Sequence, residues 1–278
     1  MIRRLLLFCI IFILFSDLCY ADNTYYENNT YNRSRISTSR QKFMKQKLIE
    51  NILKRYIKKQ TGINANVVLT LDSKSSGNTF IFTYAEITAK KANFTFAELS
   101  DVTLTTVRNS NTVVRKNKKI LFSQDTPIRF SAKVTNDDLL YLVSSAEYNN
   151  FISEFSQKYS KYITVRDTNL YLDNDNLKFQ ITGNLPFLFG LPVKITVSPV
   201  FEVYDGHIYI RGLNTDKNSA TYINKILPLL NFSEPVDSFV KIPEDVGITL
   251  LFSNFAIENS ELFVDGVFII KKNCDINK

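Results

Sequence analysis

The sequence has no tryptophan, one histidine, three cysteines and eight glycines in 278 residues, and each scarcity removes a class of chemistry. A metal centre needs several ligands of the imidazole or thiolate type, so one histidine excludes a histidine-built site. Any nucleophile–base–acid triad would have to use that residue, His207, which directly follows Asp205-Gly206 and reads as a solvated group at the start of a strand. Cys9 and Cys19 lie in an N-terminal leader, and a chain without it keeps only Cys274. No intrachain disulfide is then possible, and packing alone must hold the fold. There is no GxSxG, no glycine-rich loop followed by Lys-Ser/Thr and no HExxH. The expectation is a protein that is not an enzyme and carries no cofactor or metal.

What is present is a globular composition, 45% hydrophobic and 22% charged, well clear of the disordered regime. The N-terminus reads MIRR, then an apolar run over residues 5–15, then Ser16, Asp17 and the small-residue site Cys19-Tyr20-Ala21. That order is a secretory signal peptide, residues 1–21, cleaved after Ala21. The run is short for a bilayer span, and Asp17 falls where an anchor would continue apolar. An exported protein of the periplasm or cell envelope is expected. Its formal charge of +7 falls by one when two arginines and an aspartate leave with the leader. A basic exported chain suits an anionic membrane surface as a partner. Residues 22–40 are rich in Asn, Tyr and Ser without apolar periodicity and read as a disordered linker. Residues 41–272 read as a single domain and 273–278 as a polar tail.

Over residues 41–59, Met44, Leu48, Ile52 and Tyr56 recur at intervals of four, flanked by Ile49, Leu53 and Ile57, which predicts an amphipathic helix. Alternation follows in Val67, Leu69, Leu71; in Phe80, Phe82, Tyr84; in Val102, Leu104; and in Ile128, Phe130, Ala132, Val134. Period-two patterning with polar residues between predicts antiparallel sheet with one wet face, and no helices alternate with the strands as a parallel architecture would require. At Thr135-Asn136-Asp137-Asp138, capping oxygens and carboxylates precede Leu139, Leu140, Leu142 and Val143, which predicts a helix start. The two aspartates are therefore structural rather than a catalytic pair. A second amphipathic segment carries Phe151, Ile152, Phe155 and Tyr159.

Further strands are expected near residues 163–172, 177–183, 193–204 and 207–212, with turns at 173–176 and at Asp205-Gly206. A short helix over 220–230 aligns Ile223, Ile226, Leu227 and Leu230. Two last strands, near 246–257 and 260–270, close the domain, with Asp265-Gly266 as a bulge or tight turn. The run Arg115-Lys116-Asn117-Lys118-Lys119 lies between strand-like segments and reads as a charged turn rather than a nucleic-acid site.

The unusual segment is Leu185-Pro186-Phe187-Leu188-Phe189-Gly190-Leu191-Pro192, where a polar hairpin loop would ordinarily stand. Burying one large apolar side chain is worth roughly 1.5–3 kcal/mol, so the segment must rest on something apolar, either the domain's own core or a lipid pocket mouth. Apolar patterning assigns the lining of an acyl-chain groove to Leu48, Ile52, Leu139, Leu142, Val143, Phe151, Phe155, Ile223, Leu227 and Leu230. Leu185, Phe187, Leu188 and Phe189 stand at its mouth. The competing reading is an envelope scaffold or interaction domain without a lipid ligand.

Three stretches carry a resemblance: PIRFSAKVTNDDLLYLV (127–143), PVKITVSPVFEVYDGHIYI (192–210) and SFVKIPEDVGITLLFSNFAIENSELFVDGVF (238–268). In order, they are similar to the bacterial LmeA-like phospholipid-binding family over roughly residues 45–271. The resemblance implies an α+β fold in which a strongly curved antiparallel sheet wraps around amphipathic helices, half of a tubular lipid-binding (TULIP-like) module. It also implies a phospholipid ligand, for lipid transfer or envelope lipid maintenance, and supplies no catalytic signature.

Overall fold

Alternating apolar residues dictate strands over most of the chain, and the computed structural model arranges them in two antiparallel sheets. It describes residues 46–272 apart from 52, 56, 59–62, 73, 75–78, 95–96, 117–118, 159, 162, 187–189, 218, 221–234 and 236–246. The proposed leader, linker and tail lie outside the described residues, as does the expected helix over 220–230 beyond Ala220, which is itself helical. With few helices among many strands, the chain is compatible with the α+β class. No helix among the described residues is long and apolar enough to cross a membrane.

Helix α1 covers residues 46–51, 53–55 and 57–58. The larger sheet contains β1 (Ala65–Leu71), β2 (Thr79–Phe94), β3 (Ala97–Thr106), β4 (Asn111–Lys116), β5 (Lys119–Phe122), β6 (Thr126–Val134), β11 (Ile248–Glu258) and β12 (Glu261–Ile270). Its order is β11-β12-β6-β3-β2-β4-β5, with β1 paired to β2. β1 pairs with β2 through residues that also face β3 or β4, so β1 takes one edge of β2 while β3 and β4 share the other. β3 with β4, and β6 with β5, thus behave as two long interrupted strands lying side by side. The breaks at 107–110 and 123–125 are bridged by Val107 N–H donating to the Pro127 carbonyl at 3.2 Å and Ser123 N–H to that of Thr112 at 3.0 Å.

The core of this sheet holds residues from α1 and from all eight strands. The helix turns Ile49, Leu53 and Ile57 into it, whereas Leu48 is 47% exposed. The buried face of α1 therefore runs through the residues read as flanks of the stripe. The expected face of β2 also changes phase, since Phe82 is buried and Tyr84 exposed. Thr70 pairs with Tyr84 but Leu71 with Phe82, so Thr83 is an extra residue that flips the side chains beyond it, and Ala85, Ile87 and Ala89 turn inward instead.

The smaller sheet is a meander, order β10-β9-β8-β7, built from β7 (Thr164–Asp173), β8 (Asn176–Leu185), β9 (Leu191–Tyr204) and β10 (His207–Thr215). Helices α2 (Asn136–Val143) and α3 (Ala146–Lys158) link the two sheets along the chain. The start of α2 is built as its sequence predicts. Asp138 is 2% exposed, and its Oδ2 accepts from Thr135 N–H at 2.7 Å and Ser100 N–H at 3.1 Å, tying the helix to β3. Asp137 is exposed.

Asp265-Gly266 is not a turn. Both residues lie inside β12, and the bulge is in the partner strand, between Phe252 and Asn254 of β11. Gly266 is needed there because a Cβ would sit 2.3 Å from the Leu251 carbonyl oxygen and 2.4 Å from Phe130 Cε1. The Phe130 ring, 4.7 Å from that of Phe268 and 5.9 Å from that of Phe252, lies over the bare backbone.

Candidate functional site

Apolar residues outside the main core form two groups. The first lies where the sheets meet. Leu139 and Leu142 of α2, Leu170 and Leu172 of β7, and Leu177 of β8 pack against Phe255, Ile257, Leu262 and Val264 of β11 and β12. The Phe201 ring of β9 stands 4.5 Å from that of Phe255, which extends the contact across the joint. The second group lies within the smaller sheet: Ile163, Leu185, Val193, Ile195 and Val197, with Val165, Phe179 and Ile181 beside them.

The structure thus brings Leu139 and Leu142 into one apolar region and places Leu185 in another. Val143 is half-buried on the same helix, and Leu48 faces away from the core. Ile52, Phe187, Leu188, Phe189, Ile223, Leu227 and Leu230 lie outside the described residues. Phe151 and Phe155 belong to the backbone of α3, and their side chains are outside the description too. Leu185 pairs with Leu191, and Gly190 N–H donates to the Leu185 carbonyl at 3.0 Å. Gly190 has φ +75°, a conformation glycine adopts at little cost.

Sequence reasoning missed Leu170, Leu172, Leu177, Phe255 and Ile257. Their strands were legible, but alternation alone does not say which of two sheets a strand's apolar face meets. Lining was therefore assigned to helices.

Polar groups at the joint hold its frame. The Asn136 side chain accepts from Leu172 N–H at 2.6 Å and donates to the Leu172 carbonyl at 3.0 Å, satisfying the outer edge of β7 with an amide. Tyr148 Oη donates to Thr168 Oγ1 at 3.0 Å, docking α3 on the same strand. Burial pushes the Tyr148 phenol above its usual range, with the charge of Asp167 adding to the shift and the Thr168 hydrogen bond opposing it, so the group is neutral at physiological pH. Two turns interlock across the sheets: Asn174 N–H donates to Ser260 Oγ at 3.0 Å, and Ser260 N–H returns to the Asn174 carbonyl at 2.8 Å. Phe252 N–H donates to the Gly206 carbonyl at 2.8 Å, which closes part of the free edge of β11.

Among the described residues no group of three or more His, Cys, Asp or Glu side chains is placed to hold a metal. Asp138 spends its inner oxygen on the helix start, and His207, half-buried at the head of β10, pairs with Tyr204 across the hairpin. Compared with known protein families, curated proteins and solved structures, the chain shows no significant match. The likeness to the LmeA-like family therefore stands on its three sequence stretches alone.

Proposed function

We propose that this is a non-catalytic, exported cell-envelope protein that binds phospholipid acyl chains in the apolar joint between its two sheets. The observation that carries the reading is incomplete burial. Among the described residues, 21 apolar residues of the main core are buried and six only partly, whereas at the joint three are buried and seven partly. Half-covered leucines and phenylalanines lose part of the free energy that burial supplies, and an acyl chain recovers about 0.8 kcal/mol per methylene it shelters. The basic, leader-like N-terminus and the three LmeA-like stretches support the same reading. The placement of α1 within a core fed by all eight strands supports the finer expectation of a sheet curved around a helix, as in half a TULIP-like module.

The test is to purify residues 22–278, extract with organic solvent and identify lipids by mass spectrometry, then measure uptake of a fluorescent acyl probe from neutral vesicles. Co-purified phospholipid and saturable uptake are expected. Leu142→Gln and Leu177→Gln should each weaken uptake about fivefold, the effect of losing roughly 1 kcal/mol of half-buried contact, while circular dichroism is unchanged. A protein free of lipid and inert to the probe would instead be a scaffold or interaction domain.

A further inference from the structure

Helix α1 packs Ile49, Leu53 and Ile57 into the core of the larger sheet, each at most 3% exposed, so its opposite side is molecular surface. On a repeat of about 3.6 residues per turn, Lys47, Leu48, Asn51, Lys54, Arg55 and Lys58 fall within an arc of roughly 120° on that side. Lys54 is half-buried and the other five are exposed. Glu50, the one acidic residue in the sequence from 46 to 58, points elsewhere. It is 1% exposed and accepts from Leu69 N–H of β1 at 3.0 Å. The outer arc of α1 thus carries four cations and no acid.

Lys47 is neutralised within the fold, its Nζ 2.8 Å from Glu50 Oε2. Lys54, Arg55 and Lys58 enter no ion pair among the described residues. Lys58 stands one turn beyond both Lys54 and Arg55, a spacing at which like charges repel and a nearby anion is favourable. Leu48, 47% exposed, lies in line with Arg55 two turns earlier. The other face of the larger sheet is balanced. There the register places Glu86, Asp101 and Asp265 among Lys90, Arg129 and Lys133, and Lys133 pairs with Asp101 at 3.3 Å. The two sides of this unit therefore differ in sign.

We infer that the outer face of α1 is a docking surface for an anionic phospholipid bilayer, with Lys54, Arg55 and Lys58 against the headgroups and Leu48 at the acyl boundary. Charge complementarity is the argument, since basic residues held at such a surface each strengthen attachment. An exposed leucine beside them suits the boundary at which amphipathic helices lie. The apolar stripe of α1 is already packed on the sheet, so attachment is through charge and is reversed by salt. A nucleic acid would use the same cations, but this arc offers no aromatic ring on which a base could stack. The choice of a bilayer rests on the lipid reading above, but docking and acyl-chain uptake are separate events with separate readouts.

The experiment is co-sedimentation of residues 22–278 with phosphatidylcholine vesicles that contain or lack phosphatidylglycerol. Binding is expected only with phosphatidylglycerol present, and it should weaken as salt is raised. Each basic residue near such a surface contributes roughly fivefold, so the triple variant Lys54→Gln, Arg55→Gln, Lys58→Gln should bind about a hundredfold more weakly with circular dichroism unchanged. Leu48→Gln should lose about fivefold and keep the salt dependence. Lys90→Gln with Arg129→Gln, on the opposite face of the sheet, should stay within about twofold of the parent. The inference is overturned by equal binding to both vesicle types, by α1 variants that bind like the parent, by an opposite-face variant that loses as much as they do, or by tighter binding to a single- or double-stranded oligonucleotide. Docking without probe uptake from neutral vesicles would sink the acyl-chain reading and leave the docking surface standing, and the reverse result would do the opposite.

Discussion

Removing the Asp138 carboxylate should be among the most costly single changes in the chain, although its neighbour Asp137 looks equivalent in sequence. Oδ2 of Asp138 receives two fixed backbone donors, Thr135 N–H and Ser100 N–H, and lies 2.9 Å from Thr135 Oγ1 and 2.7 Å from Ser100 Oγ. The hydroxyls are themselves 3.1 Å apart and can satisfy each other, so the backbone donors set the cost. Asp138→Ala leaves both without a partner in a site that is 2% exposed. Each stranded donor costs about 1–3 kcal/mol, and the lost helix start adds about 1 kcal/mol, for a total of about 3–7 kcal/mol. For a domain of this size that lowers the melting temperature by roughly 6–28 °C. Asp138→Asn keeps an acceptor and should lose about half as much. Asp137→Ala removes only an exposed charge at the helix N-terminus, a change of about 0.5 kcal/mol. Urea and thermal unfolding followed by circular dichroism at neutral pH measure all three. The reasoning fails if Asp138→Ala lies within about 1 kcal/mol of the parent, or if Asp137→Ala costs as much.

Gly266→Ala would drive its Cβ to 2.3 Å from a backbone carbonyl, so the Phe252 bulge or the Phe130 ring must move, at a cost of about 2–3 kcal/mol. Adding Phe130→Leu should recover less than half of that, because the carbonyl contact remains, and a full recovery in denaturant melts would show that the ring alone was responsible. Glu50, 1% exposed, accepts from Leu69 N–H at 3.0 Å and Lys47 Nζ at 2.8 Å. Burial raises its pKa, but the hydrogen bonds from Lys47, Leu69 N–H and Gln46 outweigh that and hold it below the ordinary 4.5. The lowered folded value means that Glu50 stabilises the fold above pH 4.5 and that this contribution disappears as pH falls through the folded value. The stability difference between parent and Glu50→Gln should therefore shrink on acidification through this window, and a difference that does not change with pH would contradict the assignment.

Much of the architecture could be read from the residues because one physical rule, alternation at half-buried strands, governs most of the chain. Val102, Leu104, Ile128 and Phe130 point where their pattern says. The failures occur where a backbone irregularity breaks the count. The extra residue Thr83 turned Tyr84 outward, and the bulge in β11 gave Gly266 a role that resembles a turn only in composition. The helix start at Thr135 was legible because capping is local. The joint was not, since Leu172 and Phe255 meet through pairings far apart in the chain, and no local pattern encodes which two sheets face each other. Of the cationic run, Arg115 and Lys116 end β4 and Lys119 begins β5.

The interlocked turns at Asn174 and Ser260, together with the hydrogen bond from Phe252 N–H to the Gly206 carbonyl, attach the meander to its neighbour at the end that carries its two hairpin turns. A strand of ten residues such as β8 reaches roughly 33 Å from that anchorage. The meander is in effect a cantilever whose far end bears the Leu185–Leu191 pair. A rotation of a few degrees about the anchored end would be imperceptible at the clasp and would sweep the far end through ångströms, so any tilt between the sheets displaces the Leu185–Leu191 end most.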